Sequence, residues 1–146
     1  MAIPFFACML AVAAELNLPP RVLPAIQAVE GGRVGMARMN SNGTEDLGLM
    51  QVNTSWLPLL SRRTGLSEDL LRDKLIQDGC FSIAVAGAVM RFYLHETRGD
   101  LLAAVGNYHS HTPLRHRAYQ MKVVGAALKM FGDRPAPTPQ AKRDPR

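Results

Sequence analysis

Residues 25–53 read AIQAVEGGRVGMARMNSNGTEDLGLMQVN and divide into a helical part and a turn-rich part. The helical part begins slightly earlier, since apolar side chains recur with the spacing of one helix face at Val22, Leu23, Ile26 and Val29. Pro24 is compatible with this helix only in its first turn, where a missing N–H leaves no hydrogen bond unmade. Gly31-Gly32 predicts the end of the helix.

The turn-rich part, from Arg33 to Gly48, has no helical period. It contains Asn42-Gly43, a pair typical of tight hairpin turns. We therefore expect a surface loop or a small hairpin in this segment. An apolar pattern resumes between Leu49 and Leu60, around Trp56.

The remaining patterns are helical. Residues from Phe81 to Leu94 are apolar almost all round, which is typical of a buried central helix. Ser67 marks the start of another helix, and two more patterns run from Asp100 to Tyr108 and from Arg117 to Phe131. The sequence thus predicts roughly six helices and a fold class that is α, or α with a small β element.

The composition indicates one domain. The chain has 146 residues, of which 47% are hydrophobic, and this is enough for one core. We assign the domain to residues 1–132, because residues 133–146 contain four prolines and no large apolar side chain and are expected to form a disordered basic tail. We expect the protein to be a monomer.

The net charge is +5, with a pI of about 9.7. Such a charge attracts polyanions in general and does not select among them. The basic residues lie in small scattered groups without interleaved aromatic residues, so we expect no nucleic-acid partner.

The apolar N-terminal residues, 2–14, leave two interpretations open. Ala11-Val12-Ala13 resembles the cleavage site of a secretory signal peptide, which would then comprise residues 1–13. We favour the alternative, in which Phe6 to Leu16 forms the first buried helix of the domain, because no Lys or Arg precedes the apolar run. The run is too short to span a bilayer as a helix, so we expect no stable membrane insertion.

The two cysteines, Cys8 and Cys80, lie far apart and outside any CxxC motif. In a cytosolic protein they would be two separate buried thiols. In an exported protein a long-range disulfide would be expected.

Glu30 is the candidate for catalysis. It shares the helix face of Leu23 and Ile26 and lies in the last turn, near the negative end of the helix dipole. Both circumstances disfavour the carboxylate and raise its pKa, as a general acid requires. The spacing alone is better explained by an ordinary glutamate at the helix edge that reaches solvent.

The chain resembles the soluble lytic transglycosylase family in several motifs that occur in the same order. Ala25 to Gly32 is similar to its helix ending in Glu, and Asp46 to Asn53 to its D-x-G-L-M-Q-I-N motif. Ala104 to His109 is similar to its A-V-x-x-Y-N element, and the likeness covers residues 6–119. It is greatest to small members that accompany type III and type IV secretion systems, conjugation machines and pili.

The resemblance implies a mainly α, lysozyme-like fold in which the loop or hairpin forms one wall of a cleft. It implies cleavage of the β-1,4 bond between N-acetylmuramic acid and N-acetylglucosamine, without a metal or other cofactor, to give a 1,6-anhydro product. Glu30 matches the single catalytic acid, and Tyr108 matches a tyrosine over that carboxyl group. We expect Glu30 and Gln51 to face each other across the cleft. The substrate-binding positions implied are Asn40, Met50, Gln51, Asn53 and Tyr108.

The family also has paired cysteines at the positions of Cys8 and Cys80. The resemblance therefore implies a disulfide between them and a periplasmic or otherwise exported protein. Its partners would be peptidoglycan strands and components of a secretion, conjugation or pilus apparatus, for which it would open the cell wall locally.

Two positions depart from the family pattern. Gly31 stands where the family usually has Ser, which removes a hydroxyl near the acid. His109-Ser110-His111 replaces the usual Asn-Ala-Gly and alters the floor of the cleft.

Three alternatives accompany this interpretation. Asp46 is a candidate second carboxylate, which would make the protein a muramidase-type hydrolase. The cluster His109, His111 and His116 is a candidate zinc site, but its spacing matches no paired Cys/His pattern, and solvated loop histidines explain it better. A non-catalytic peptidoglycan-binding scaffold is the third alternative.

Overall fold

A computed structural model describes residues 2–132, so the expected tail, residues 133–146, lies outside the described part. Within that part the chain forms seven α-helices and three short strands, and a 3-10 turn (Thr54–Trp56) follows the third strand. The helix absent from the sequence prediction is α3, which is short and has Pro58 as its second residue. The helices are α1 (Phe6–Glu15), α2 (Val22–Glu30), α3 (Leu57–Thr64), α4 (Glu68–Gln77), α5 (Gly79–Glu96), α6 (Leu101–His109) and α7 (Pro113–Phe131); the strands are β1 (Ala37–Met39), β2 (Glu45–Leu47) and β3 (Val52–Asn53).

The central helix is α5, as its all-round apolar pattern predicts. It is capped by Asp78, the residue before its first turn, whose side chain accepts a hydrogen bond from the backbone N–H of Phe81. Helices α1, α4 and α6 pack against it, and α7 packs against α2 and α6. Its core-facing side chains include Ile83, Val85, Val89, Met90 and Leu94.

The three strands form one antiparallel sheet in the order β1-β2-β3. Ala37 pairs with Leu47 across β1 and β2, and Asp46 pairs with Asn53 across β2 and β3. Gly43 has a positive φ of 84° in the turn between β1 and β2. The expectation of a hairpin between residues 33 and 48 is therefore confirmed.

Glycines allow the hairpin to approach the helices closely. Gly48 has a φ of +67°, and a Cβ atom at this position would overlap the carbonyl oxygen of Leu75 near the end of α4. A Cβ atom at Gly32 would overlap the carbonyl oxygens of Gly48 and Leu49. The backbone after α2 is thus packed directly on the backbone after β2.

A disulfide joins Cys8 in α1 to Cys80 in α5, with a Cα–Cα distance of 5.6 Å. It confirms the pairing that the resemblance implies. The cysteines are 72 residues apart. Closing this loop lowers the conformational entropy of the unfolded chain, which stabilises the folded state by up to about 4 kcal/mol. Met9 and Ala13 of α1 are buried in the core. The interpretation of this segment as a helix of the domain is therefore confirmed, although only one side of the helix is buried.

Among residues 2–132, no single helix is both long enough and apolar enough to cross a membrane. Helices α4 and α5 reach the required length only as a pair, and that pair is bent by 111°.

Candidate active site

A cleft of about 630 Å³ lies between the hairpin and the segment that joins α6 to α7. Glu30, at the end of α2, contributes to its wall. The hairpin side and the following turn supply Arg38, Asn40, Ser41, Asn42, Thr44, Asp46, Gln51, Asn53, Ser55 and Trp56; the opposite side supplies Tyr93, Asn107, Tyr108, His109, Ser110, His111 and Arg115. The lining is largely polar, as a cleft for a hydrated polymer requires.

Glu30 is the last residue of α2, and Gly31 ends the helix with a φ of +66°. Burial of the carboxyl group raises the pKa of Glu30 to about 7. This value already includes a lowering by a hydrogen bond to the carboxyl group, a smaller increase from the charge of Asp46 and a lowering by Arg38. At neutral pH this carboxyl group is therefore able both to donate and to accept a proton.

The partner of Glu30 is Tyr119, on the buried face of α7. Its hydroxyl donates a hydrogen bond of 2.8 Å to Oε1 of Glu30. Burial raises the pKa of Tyr119, so the hydroxyl stays protonated and continues to donate. The ring of His109 stacks on the ring of Tyr119, with centroids 4.8 Å apart and planes at 11°. These two side chains fix the position of the carboxyl group from one side.

The sequence analysis placed Tyr108, and not Tyr119, at the carboxyl group. The hydroxyl of Tyr108 donates to the backbone carbonyl of Met50, at 2.8 Å. Burial and the nearby charge of Glu30 raise the pKa of Tyr108, so Tyr108 lies near the carboxyl group without a hydrogen bond to it. Tyr108 still lines the cleft. Tyr119 was missed because it lies outside the matched motifs. Tyr119 and Val123 are four residues apart, and this spacing indicates that both lie on the buried face of α7. It does not identify a hydrogen-bond partner 89 residues away.

The structure also differs from the expectation that the side chain of Met50 binds substrate in the cleft. Its side chain is fully buried in the core and does not line the cleft. Its backbone carries the contacts, since the N–H donates to Ser82 and the carbonyl accepts from Tyr108. Met50 therefore supports the cleft from behind.

Gln51 lies in the same cleft as Glu30, as the sequence predicts. Its backbone adopts a positive φ of 54°, and its Nε2 donates to the carbonyl of Gly48 at 2.9 Å. Within residues 2–132, its Oε1 is buried without a hydrogen-bond partner. A buried acceptor of this kind is costly unless a ligand supplies a donor.

The two predicted asparagines, Asn40 and Asn53, line the cleft and also hold the hairpin together. Nδ2 of Asn53 donates to Oδ1 of Asp46 at 2.9 Å and to the hydroxyl of Thr44 at 3.0 Å. Nδ2 of Asn40 donates to the same hydroxyl at 3.2 Å. The carboxylate of Asp46 is thus part of a hydrogen-bonded network on this wall.

Aromatic side chains that the sequence analysis did not assign to the site lie at the other end of the cleft. The rings of Trp56 and Tyr93 meet edge to face, with centroids 5.8 Å apart, and both line the cleft. Tyr93 also contacts the ring of His111. Both side chains are half-buried, so only part of each ring faces the cleft.

The three clustered histidines have separate environments. His111 pairs with Glu96 at 2.7 Å. His116 lies on α7 over Gly106 and contacts the carbonyl of Ser110, so it is half-buried and not a solvated loop residue. Among residues 2–132, no group of three His, Cys, Asp or Glu side chains is arranged to hold a metal ion.

The mainly α-helical domain with its small three-stranded sheet is a lysozyme-like fold, as the family match described next supports. Residues 7–121 match the family described as the transglycosylase SLT domain, and the chain belongs to this family.

Two curated relatives are similar to the chain. The invasion protein IagB of Salmonella typhimurium is 31% identical over 106 residues, which cover 72% of this chain and 62% of the relative. The protein IpgF of Shigella flexneri is 32% identical over 108 residues, which cover 73% of this chain and 66% of the relative. The chain thus spans somewhat less than two thirds of the length of these relatives.

Proposed function

We propose that this protein is a peptidoglycan lytic transglycosylase that cleaves the bond between N-acetylmuramic acid and N-acetylglucosamine. The observation that carries the proposal is the carboxyl group of Glu30, whose pKa is raised to about 7 at the wall of a polar cleft. Membership of the SLT family supports peptidoglycan as the substrate.

The mechanism uses Glu30 twice. Its protonated carboxyl group donates to the oxygen that leaves with N-acetylglucosamine, while positive charge develops at carbon 1 of the muramic residue. The 6-hydroxyl of the same sugar then attacks carbon 1, and the ionised Glu30 accepts the proton of that hydroxyl. The attack is intramolecular, so its effective concentration is high and no activated water is needed. The product ends in a 1,6-anhydro ring.

The cleft offers groups that would position the glycan. The free Oε1 of Gln51 would accept a hydrogen bond from a sugar hydroxyl or acetamido N–H. Asn40, Asn53 and Tyr108 line the same wall or floor. Trp56 and Tyr93 supply ring faces farther along the cleft for a second sugar.

A pair of isosteric variants tests the reaction. Glu30→Gln should remain folded and lose roughly 10²–10⁴-fold in activity, because an amide cannot donate and recover the proton. Asp46→Asn should retain most activity, since no water has to be activated. Mass analysis of digested peptidoglycan should show muropeptides one water lighter than the products of hydrolysis.

A hydrolase is the second candidate, because Asp46 lines the same cleft and its charge acts on the pKa of Glu30. Reducing muramic ends in the digest, together with an Asp46→Asn variant as inactive as Glu30→Gln, would establish hydrolysis and overturn the transglycosylase proposal. If the wild-type protein produces no clearing in a zymogram on purified cell wall, the remaining candidate is a non-catalytic peptidoglycan-binding scaffold.

We infer that the protein acts outside the cytoplasm, in the periplasm or an equivalent exported location. The disulfide between Cys8 and Cys80 supports this location, because such bonds persist in oxidising compartments. The likeness to an invasion protein supports a role in opening the wall for a secretion, conjugation or pilus machine.

A further inference from the structure

A second cavity, of about 360 Å³, adjoins the cleft and shares Glu30 with it. Three cationic side chains line this cavity: Arg38 on β1, and Arg115 and Lys122 on α7. Arg115 and Lys122 are seven residues apart and therefore lie on one face of the helix. The cations thus reach the same space from two elements that are distant in sequence.

None of the three cationic side chains forms a salt bridge among the described residues. In residues 2–132 no carboxylate lies within ion-pair distance of them, and their side chains make no hydrogen bond. Asp46, which pairs with Arg38 in the strand register, accepts its hydrogen bond from Asn53. Glu30 is the single carboxyl group among the described residues that line the cavity, and three cations exceed its one charge, so the cavity attracts a further anion.

Control of the catalytic acid does not explain this arrangement. Arg38 and Lys122 lower the pKa of Glu30. A general acid has to be protonated, so this influence opposes the first step of the proposed reaction.

The chemistry of the substrate identifies the anion. The muramic residue whose carbon 1 faces Glu30 carries a peptide on carbon 3 of the same ring, through a lactyl ether. This peptide stem bears carboxylates, whereas the sugars themselves are neutral. A stem that leaves the ring beside Glu30 has the cavity within reach.

We propose that Arg38, Arg115 and Lys122 bind the carboxylates of the peptide stem on the muramic residue that is cleaved. The inference rests on the proposed function, because it takes the glycan strand as the substrate. It makes the enzyme selective for strands with charged stems over strands whose stems are neutral.

The test compares two preparations of glycan strands that carry their stems. In both, the amino groups are acetylated; in one the carboxyl groups are free, and in the other they are converted to primary amides. The wild-type protein should have a kcat/KM about tenfold higher on the free-carboxyl strands than on the amidated strands, and in the double variant Arg115→Gln/Lys122→Gln this ratio should fall to about one. Arg117→Gln is the matched control, because Arg117 is an exposed cation on α7 that does not line the cavity.

Equal losses on both preparations, or a loss of the same size in Arg117→Gln, would overturn the inference. Binding separates this result from a failure of the proposed function. Glu30→Gln protein should bind free-carboxyl strands about tenfold more tightly than amidated strands, and the added Arg115→Gln/Lys122→Gln changes should abolish the difference. If the wild-type protein cleaves neither preparation but this difference is found, the enzyme proposal fails and the stem site stands.

Discussion

At the scale of single residues, the site depends on opposing influences on one carboxyl group. The pKa of Glu30 is raised to about 7, mainly by burial and to a smaller extent by the charge of Asp46. The hydrogen bond from Tyr119 stabilises the anion and so lowers the same pKa. The balance leaves Glu30 able to lose and regain a proton near neutral pH, which a residue acting as both acid and base requires.

The variant Tyr119→Phe should raise the pKa of Glu30. It removes a hydrogen bond to the carboxylate, so the pKa of Glu30 should rise by roughly one unit. Because the general acid has to be protonated, activity falls as the pH rises through this pKa. The alkaline limb of the kcat/KM profile should therefore move to higher pH by roughly one unit, as measured by turbidity loss of purified cell wall.

The matched control is Tyr108→Phe. The hydroxyl of Tyr108 donates to the Met50 carbonyl and not to Glu30, so its loss should lower stability by about 1 kcal/mol and leave the alkaline limb in place. A limb that stays unchanged in Tyr119→Phe, or moves to lower pH, would contradict the role given to Tyr119.

At the scale of elements, the cleft depends on how the hairpin is attached. Arg72 of α4 binds the carboxylate of Glu45 in β2 through two hydrogen bonds, of 3.0 and 2.7 Å. The backbone N–H of Gly35 donates to the carbonyl of Ile76 at 2.7 Å. Together with the close approach of Gly48 to α4, these contacts hold one wall of the cleft at a fixed distance from Glu30.

Two glycines with nearly the same backbone conformation test this attachment. Gly48→Ala should cost more than about 3 kcal/mol, because the new methyl group overlaps the Leu75 carbonyl at an unfavourable φ. Gly31→Ala has an equally positive φ but open space, so it should cost only about 1 kcal/mol. Urea denaturation measures both, and equal losses would show that the contact with Leu75 is unimportant.

At the scale of the whole molecule, the cleft separates a hairpin wall from the side formed by α6 and α7. The central helix α5 lies behind both, and the disulfide fixes α1 to its beginning. The fold thus relies on a covalent link that forms only where thiols are oxidised. Stability and location are therefore connected in this protein.

This connection gives a prediction for the double variant Cys8→Ser/Cys80→Ser. Its free energy of unfolding should be lower by up to about 4 kcal/mol, because the unfolded chain is no longer closed into a loop. Protein recovered from the producing cells should react with a thiol-alkylating reagent only after reduction. Free thiols in the freshly isolated native protein would contradict both the stabilising role and the exported location.

Much of the fold could be predicted because the relevant signals are local. The apolar pattern of α5, the Ser67 start of α4 and the Asn42-Gly43 turn each act within a few residues. Helix α3 was missed because it is short and Pro58, its second residue, interrupts the apolar pattern. The paired cysteines were predicted from family likeness, since neither their spacing nor their burial identifies a partner.

The sequence by itself determined the helical class, the hairpin between residues 33 and 48 and the choice of Glu30 as the candidate acid, because these follow from period, turn chemistry and motif order. Only the tertiary structure decided that Tyr119 holds the carboxyl group and that the Met50 side chain lies in the core. Only the tertiary structure places Arg38 in the same cavity as the cationic side chains of α7. These relations join side chains separated by tens of residues, and packing of the elements, not local preference, sets such distances.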